Sequence, residues 1–519
     1  MANYTLFSFK PFDFDGFQGN YGSFEDLEKE ETLFKEKQDH PLELNVDPNP
    51  FYRLQYGHHH HHQQTAHSNN LALDEYHFNH KIPHLPLLHF LRNDGSGTLR
   101  NINAETCGVS RKLSTEEIVR VVGARYVQLS TTQMHDDYHC MPMHPFAPSD
   151  LSEDEKRDVE LVQLLLSKAE KVGYQQHDRA RRLLLHCKWI SSARCNSVQR
   201  VVFHFALALR ERIAKESGRS VKTAKGEFKQ NDEIDEELDS NPSLLAFYTI
   251  SESVASERKV YLIDIGIKSG VQWTLLMLDL ADIKDFPIEL LKIMTVGSTR
   301  NERIEETGKR LGSVTESMNL PFSFKSIILS DVKDIKEDFF EIEDDEIMII
   351  FASLALRTMI SRPSWLENFM RVITNLNPSI MIVFEVEANH NSPSFVNRFI
   401  ESLFFCCAYF DSLETCMEKH EEERMKMETI MGGHIRNLVA EEGRGRKNRS
   451  VTIDVWRAFF ARFRMLEIGL SQSSLNQASL VAERFSCRNY CTLDKNGKCL
   501  IVGWKGTPLH SLSVWNFMS

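Results

Sequence analysis

Chemistry concentrates in one short stretch of this chain, VYLIDIGIKSGVQW, from Val260 to Trp273. An apolar run is followed by the carboxylate of Asp264 and then by Gly266, Lys268 and Gly270 at alternate positions. In open α/β sheets, glycines after the first strand let the backbone approach a cofactor, and an acid at a strand end binds its ribose. A cradle for a nucleotide-like molecule is therefore the first chemistry to consider. Other reactive side chains are scattered. Ten cysteines lie between Cys107 and Cys499 without zinc-type spacing. No metal site is expected of them, and in so large a chain they read as reduced, intracellular thiols. The five-histidine run His58–His62 reads as a solvated polar tract. Asn389, His390 and Asn391 follow a predicted strand, where open sheets place ligand loops. No nucleophile or orienting acid stands at a recognisable spacing from that histidine, so no catalytic residue is assigned.

Asp264-x-Gly266-x-Lys268-x-Gly270 resembles the D-x-G-x-G-x-G loop of S-adenosylmethionine-dependent methyltransferases, with Lys268 at the middle glycine. That exchange puts a long side chain where a cofactor would lie. Such enzymes usually end the second strand with an acid for the ribose hydroxyls, whereas LLKIMTVGSTR ends in Thr295, Val296, Gly297 and Ser298. The loop reads as vestigial, no cofactor is expected, and Gly266 and Gly270 are left to serve a turn. The alternative kept open is a methyltransferase, or a small-molecule sensor that retained the pocket without the chemistry.

Around this loop the hydrophobic pattern divides the chain. Residues 1–110, rich in Asn, His, Asp and Phe without a sustained period, read as a disordered arm. A mainly helical part follows over 111–250. Ser114 with Glu117 forms a capping box, Ser152 opens a second helix, and VELVQLLLSKAEKV repeats apolar residues at helical spacing. From 251 to 519, short apolar runs (VYLIDI, LLKIMTV, FKSIIL, EIMIIFAS, SIMIVFEV) alternate with helical segments, the pattern of a parallel sheet covered on both faces. NYCTLDKNGKCLIVGW ends the pattern as a hairpin about Asn496-Gly497, an antiparallel edge. The fold class is thus α/β, a mostly parallel core sheet with an antiparallel C-terminal hairpin, preceded by a mainly helical stretch. The formal charge of −12 disfavours phosphate binding by the molecule as a whole. No signal peptide and no membrane span are read from the sequence.

Val260-Tyr261-Leu262-Ile263-Asp264 with Gln272-Trp273 closely resembles the VHIID motif of the plant GRAS family. Further motifs follow in the family's order. VELVQLLLSKAEKV to VVFHFALALRERI is similar to its first leucine-rich region, and RIEETGKRLGSVTESMNLPFSFKSI to its second. Glu385 to Glu414 matches the PFYRE region, with Arg398 and Glu401 as its Arg and Glu. Trp456, Gly469, Val502-Gly503-Trp504 and Ser513-Val514-Trp515 resemble the SAW region. Tyr261 departs from the family's His, Phe339-Phe340 match the early PFYRE positions weakly, and the DELLA motifs of the gibberellin-signalling subgroup are absent from residues 1–110. The resemblance implies a helical cap over a Rossmann-like, methyltransferase-derived core. It further implies a nuclear regulator of plant transcription, not an enzyme, whose partners are other GRAS proteins and transcription factors.

Three stretches are candidates for those contacts. Leu161, Leu164 and Leu165 fit the LxxLL pattern of a helix that presses leucines into a partner's groove, and equally fit packing inside the cap. Lys171 to Lys229 holds 14 Lys or Arg against 4 Asp or Glu, a candidate for DNA phosphate or a face balanced by the acidic NDEIDEELD that follows. GRGRKNR, with Arg444, Arg446, Lys447 and Arg449, reads as a nuclear address or as a structural segment. Trp456, Trp504 and Trp515 are expected to lock the last strands onto the sheet.

Overall fold

Strands form where β-branched and aromatic residues run together, and helices cover them on both sides. In the computed structural model, residues 112–131, 151–181, 195–218 and 243–518 are described, apart from short gaps at 284–286, 299–300, 330–333, 344 and 485–486. The N-terminal arm with His58–His62, the acidic stretch after the basic run, and parts of that run lie outside the described residues.

Four helices precede the sheet: α1 (Thr115–Thr131), α2 (Glu153–Gly173), α3 (Ser197–Glu216) and α4 (Ser243–Val254). The starts of the first three are fixed by caps, Asn196 serving α3. The backbone N–H of Ser114 donates to Glu117 at 2.7 Å, and Ser152 and Glu155 complete a reciprocal capping box. The core follows as β1 (Lys259–Ile265), α5 (Val271–Asp282), β2 (Leu290–Ser298), α6 (Asn301–Ser317), β3 (Phe322–Leu329), β4 (Ile347–Ser353), α7 (Leu356–Met359), α8 (Pro363–Leu376) and β5 (Ile380–Val386). Then come α9 (Phe395–Cys416), α10 (Glu421–Ala440), α11 (Ile453–Ala461), β6 (Met465–Ile468), α12 (Gln472–Arg484), β7 (Cys491–Asn496), β8 (Cys499–Trp504) and β9 (Thr507–Phe517).

The strand order is β3-β2-β1-β4-β5-β9-β8-β7, with β6 also paired to β9. β1 to β5 are parallel, and the remaining pairings are antiparallel. This is the methyltransferase-type Rossmann arrangement. β1 sends alternate residues to opposite faces: Val260 and Leu262 join one core cluster, Tyr261, Ile263 and Ile265 the other. Both faces are therefore buried, which is why the strands read as continuous apolar runs instead of an alternation.

The structure refines three expectations. The helical cap is not confined to residues 111–250, because α9 and α10 from beyond that boundary pack against α1, α2 and α3. α9 is buried almost all round, from Arg398 to Leu413, since it lies between the sheet and the cap helices. The hairpin between β7 and β8 turns at Gly497, whose φ is 61°, while Asn496 stays in the strand paired with Cys499. A second turn, Lys505 (φ 49°) and Gly506 (φ 85°), sends β9 back between β5 and β8. Two successive positive φ values suit the twist of such a hairpin. Cys416 and Cys487 also depart from the expected reduced state: they are joined as a disulfide across 71 residues. No local spacing announces a pair that only the packing of α9 beside the chain after α12 brings together.

Leu165 of α2 is fully buried among the cap helices, whereas Leu164 is only partly buried. Leu165→Ala is expected to lower stability by about 2–5 kcal/mol and Leu164→Ala by less, read as shifts in chemical-denaturation midpoints.

Candidate functional site

The loop after β1 is tight for reasons carried by its neighbours. Gly266 adopts φ 85° and donates its N–H to Val296 O at 3.0 Å, and nothing lies within 4 Å of a Cβ added there. Gly270 caps α5 in the left-handed region at φ 60°, and a Cβ would meet Thr307 Cγ2 at 3.1 Å. Glycine is thus needed at both positions for φ and at Gly270 for space as well. α6 holds the loop from the side: Thr307 Oγ1 donates to Lys268 O at 3.0 Å, and the Arg310 guanidinium donates to the Ser269 carbonyl. Ile267 N–H donates to Thr295 Oγ1 at 3.3 Å, so a residue at the end of β2 supports the loop backbone.

Asp264 is turned inward. Its Oδ2 accepts a 2.7 Å hydrogen bond from Trp273 Nε1, both side chains being buried. Burial pushes the Asp264 carboxyl up to about 7, and the indole N–H only partly offsets this. The acid and the tryptophan of the opening stretch are therefore partners of each other, nine residues apart.

A cavity of about 370 Å³ opens beyond this loop, at the carboxyl ends of β1, β2, β4 and β5. Gly266 and Lys268 line it from the loop, Val296 and Gly297 from β2, and Ser353 and Leu354 from the end of β4. Open α/β sheets hold their ligands at this edge. Lys268 stands in the lining, as its place in the loop suggested. The sequence reading missed Arg357, His434 and His510, which α7, α10 and β9 bring to the same cavity as His390. Their positions span more than 150 residues of sequence, and the sequence signal at the end of β5 pointed to His390 alone.

The three imidazoles are held neutral. Burial, and next to it the nearby charge of Arg357, pushes His390 and His510 down to about 3; the same causes act on His434. His390 meets the Phe405 ring edge-on with centroids 5.2 Å apart, and His510 stacks on Phe384 at 5.0 Å. His434 Nδ1 lies 2.7 Å from Asn448 Nδ2. No Asp or Glu is among the residues lining the cavity.

A family model described as the GRAS domain family matches residues 161–516. This chain belongs to the GRAS family. It is 30% identical over 369 residues to DELLA protein RGL1 of Arabidopsis thaliana, covering 70% of this chain and 71% of the relative. Over 388 residues it is 28% identical to DELLA protein 1 of Medicago truncatula, covering 71% of this chain and 65% of that protein, just under two thirds. Among solved structures, SCL7 of Oryza sativa superposes with a TM-score of 0.59 at 22% identity, covering 69% of this chain and 99% of the other, which shows a shared fold.

The GRAS motifs can now be placed. Tyr261, where the family carries His, is fully buried on the face away from the cap; its hydroxyl donates to Met294 Sδ at 3.1 Å and Lys292 Nζ lies 4.7 Å from its ring centre. Arg398 of the PFYRE region is 1% exposed. It pairs with Glu442 and donates to Ser392 O at 2.8 Å and to Leu438 O at 3.4 Å, tying α9 to α10 and to the loop after β5. Phe340 is buried, while Phe339 is exposed. In the SAW region, Trp456 and Trp515 pack about Phe460, and Trp504 Nε1 donates to Asp411 Oδ2 of α9 at 2.6 Å. Gly469 is exposed after β6, with nothing within 4 Å of an added Cβ, so no close approach explains it.

The contact candidates fare differently. Leu161 and Leu165 face the core, and a leucine packed inside the cap cannot press into a partner's groove at the same time. In GRGRKNR, Arg446 and Arg449 are buried: Arg446 donates to His390 O at 2.8 Å and Arg449 to Gly443 O at 2.7 Å. Only Arg444 and Lys447 are exposed, which leaves half of the basic address accessible in the folded chain. In the basic run, Arg200 pairs with Glu414 and Glu428, Arg212 with Glu216 and Glu442, and Lys215 with Glu211 and Glu441. Carboxylates largely from α9, α10 and the segment after α10 thus neutralise much of its described charge, while Arg179 and Arg210 remain exposed.

Two substitutions test the Asp264–Trp273 pair. Trp273→Phe leaves the buried Asp264 without its indole donor and is expected to cost about 1–3 kcal/mol in denaturant unfolding. The folded pKa of Asp264, about 7, lies above the unfolded value of about 3.9. Its contribution to stability is therefore full at low pH and is lost as pH rises from about 4 through 7. The stability of Asp264→Asn relative to the parent is expected to increase between about pH 5 and about pH 8, measured by unfolding at each.

Proposed function

We propose that this chain is a nuclear regulator of plant transcription that acts as a scaffold, joining other GRAS proteins to DNA-bound transcription factors. The observation that carries this reading is the family match across residues 161–516. The site supports it. A glycine loop that binds S-adenosylmethionine needs room above its middle position and an acid for the ribose. Here Lys268 lines the first place, β2 ends in Thr295, Val296, Gly297 and Ser298 without an acid, and the acid of β1, Asp264, is engaged by Trp273. The carboxyl edge of the sheet thus lacks two of the features that S-adenosylmethionine chemistry needs there. Partner surfaces are assigned to the exposed faces of the cap helices rather than to Leu161, Leu164 and Leu165. Direct DNA contact, where it occurs, falls to exposed cations such as Arg179 and Arg210, because the cations in ion pairs are already neutralised.

Affinity purification of the full chain from plant nuclei, before and after nuclease digestion, tests this reading by mass spectrometry. Other GRAS proteins and transcription factors should be recovered in both preparations. Their loss on digestion would make the association DNA-mediated and overturn the scaffold reading. Arg179→Ala with Arg210→Ala is expected to leave protein recovery unchanged while lowering duplex-DNA retention at low salt.

A further inference from the structure

The cavity beside the VHIID loop has a composition that a mere packing defect lacks. Three buried polar atoms in its lining have no hydrogen-bond partner: His390 Nε2, Ser353 Oγ and Ser450 Oγ. His390 is 3% exposed and Ser450 2% exposed, so neither residue has more than marginal contact with bulk water. An unsatisfied buried polar group costs about 1–3 kcal/mol, which a polar guest that reached these atoms would relieve.

The charge of the lining selects among guests. Lys268 and Arg357 supply two cations, and no carboxylate lines the space. S-adenosylmethionine carries a sulfonium and an ammonium against one carboxylate, so this lining disfavours it. A hydroxyl from Ser353 or Ser450 can donate to an anion, and a neutral imidazole can do so through its N–H. Phe369, Phe405, Tyr409 and Leu438 add an apolar and aromatic surface to the lining. The volume of about 370 Å³ falls in the range of small-molecule sites, roughly 300–1,000 Å³. The mouth lies where Gly266 and Thr358 are exposed, and the aromatic residues lie deeper.

We propose that this cavity binds a small organic acid with an apolar ring body. Its carboxylate is held by Lys268, Arg357 and the hydroxyl of Ser450, with His390 completing the polar contacts and the ring set against Phe405 and Tyr409. The site goes beyond the scaffold function and does not depend on it, since partner recovery and ligand binding are measured separately.

Isothermal titration of the full chain with 2-naphthoate, with the uncharged 2-naphthamide and with S-adenosylmethionine tests the proposal. Saturable one-to-one binding of 2-naphthoate is expected, with the amide at least about tenfold weaker. Lys268→Met and Arg357→Met are each expected to weaken 2-naphthoate about tenfold while leaving the amide unchanged. Leu438→Trp, which fills the apolar end, should weaken both compounds. Circular dichroism and thermal melting confirm that each variant is folded, and Lys268, on the loop, serves should the others fail to fold. Three results overturn the proposal: no saturable binding of 2-naphthoate at millimolar concentration, equal affinity for acid and amide, or tighter binding of S-adenosylmethionine than of the acid.

Discussion

The hydrogen bond from Trp273 Nε1 to Asp264 Oδ2 decides what the carboxyl edge of this sheet can be. A carboxylate at the end of β1 and a large side chain at the start of the next helix are separated by a loop that must reverse direction within a few residues. Joining them fixes the start of α5 against the strand. Gly270 can then adopt its left-handed geometry against Thr307, and Lys268 is presented to the cavity instead of to bulk water alone. The same bond takes the acid out of any role toward a ligand. In a fold that elsewhere holds cofactors at this edge, Asp264 and Trp273 act as one structural unit.

Buried charge organises the second layer. Arg398 stands inside the protein at the join of α9, α10 and the loop after β5, satisfied by Glu442 and two carbonyls. Arg446 and Arg449 complete the cluster by gripping that loop at His390 and Asn391. Removing one member of such a cluster strands the others, which costs about 3–5 kcal/mol, far more than the net worth of the intact pair. This is a physical reason for arginine, and not lysine, at position 398. Lys would bring one compact charge, without the guanidinium's planar set of donors that reaches three partners at once.

Much of this architecture was legible in the sequence, and what escaped has a common cause. The five parallel strands, the capping boxes at Ser114 and Ser152 and the glycine loop are local signals, written within a few residues of chain. The course of β9 between β5 and β8, the pairing of Cys416 with Cys487, and the meeting of Arg357, His390, His434 and His510 depend on which elements lie side by side. Helical spacing left two readings open for Leu161 and Leu165, because a partner-binding stripe and a core stripe repeat at the same interval, and both side chains are buried. The basic run was read for its excess charge, but its neutralising carboxylates come largely from α9, α10 and the segment beyond, some two hundred residues later.

The electrostatics of the cavity follow from one residue more than from its histidines. A histidine cluster at a cavity invites comparison with a pH switch, since imidazole titrates near neutrality when unperturbed. Here burial and the guanidinium of Arg357 act in the same direction on His390, His434 and His510, and all three stay neutral through the physiological range. Arginine does not lose its proton inside proteins. The charge of Arg357 is therefore permanent, while the neighbouring Glu385 carboxyl, pushed up to about 7 by burial and drawn down by Arg357, offsets part of it as pH rises. Neutral imidazoles then serve as directional hydrogen-bonding groups with aromatic faces, packed against Phe384 and Phe405, and they shape the space without adding to its charge.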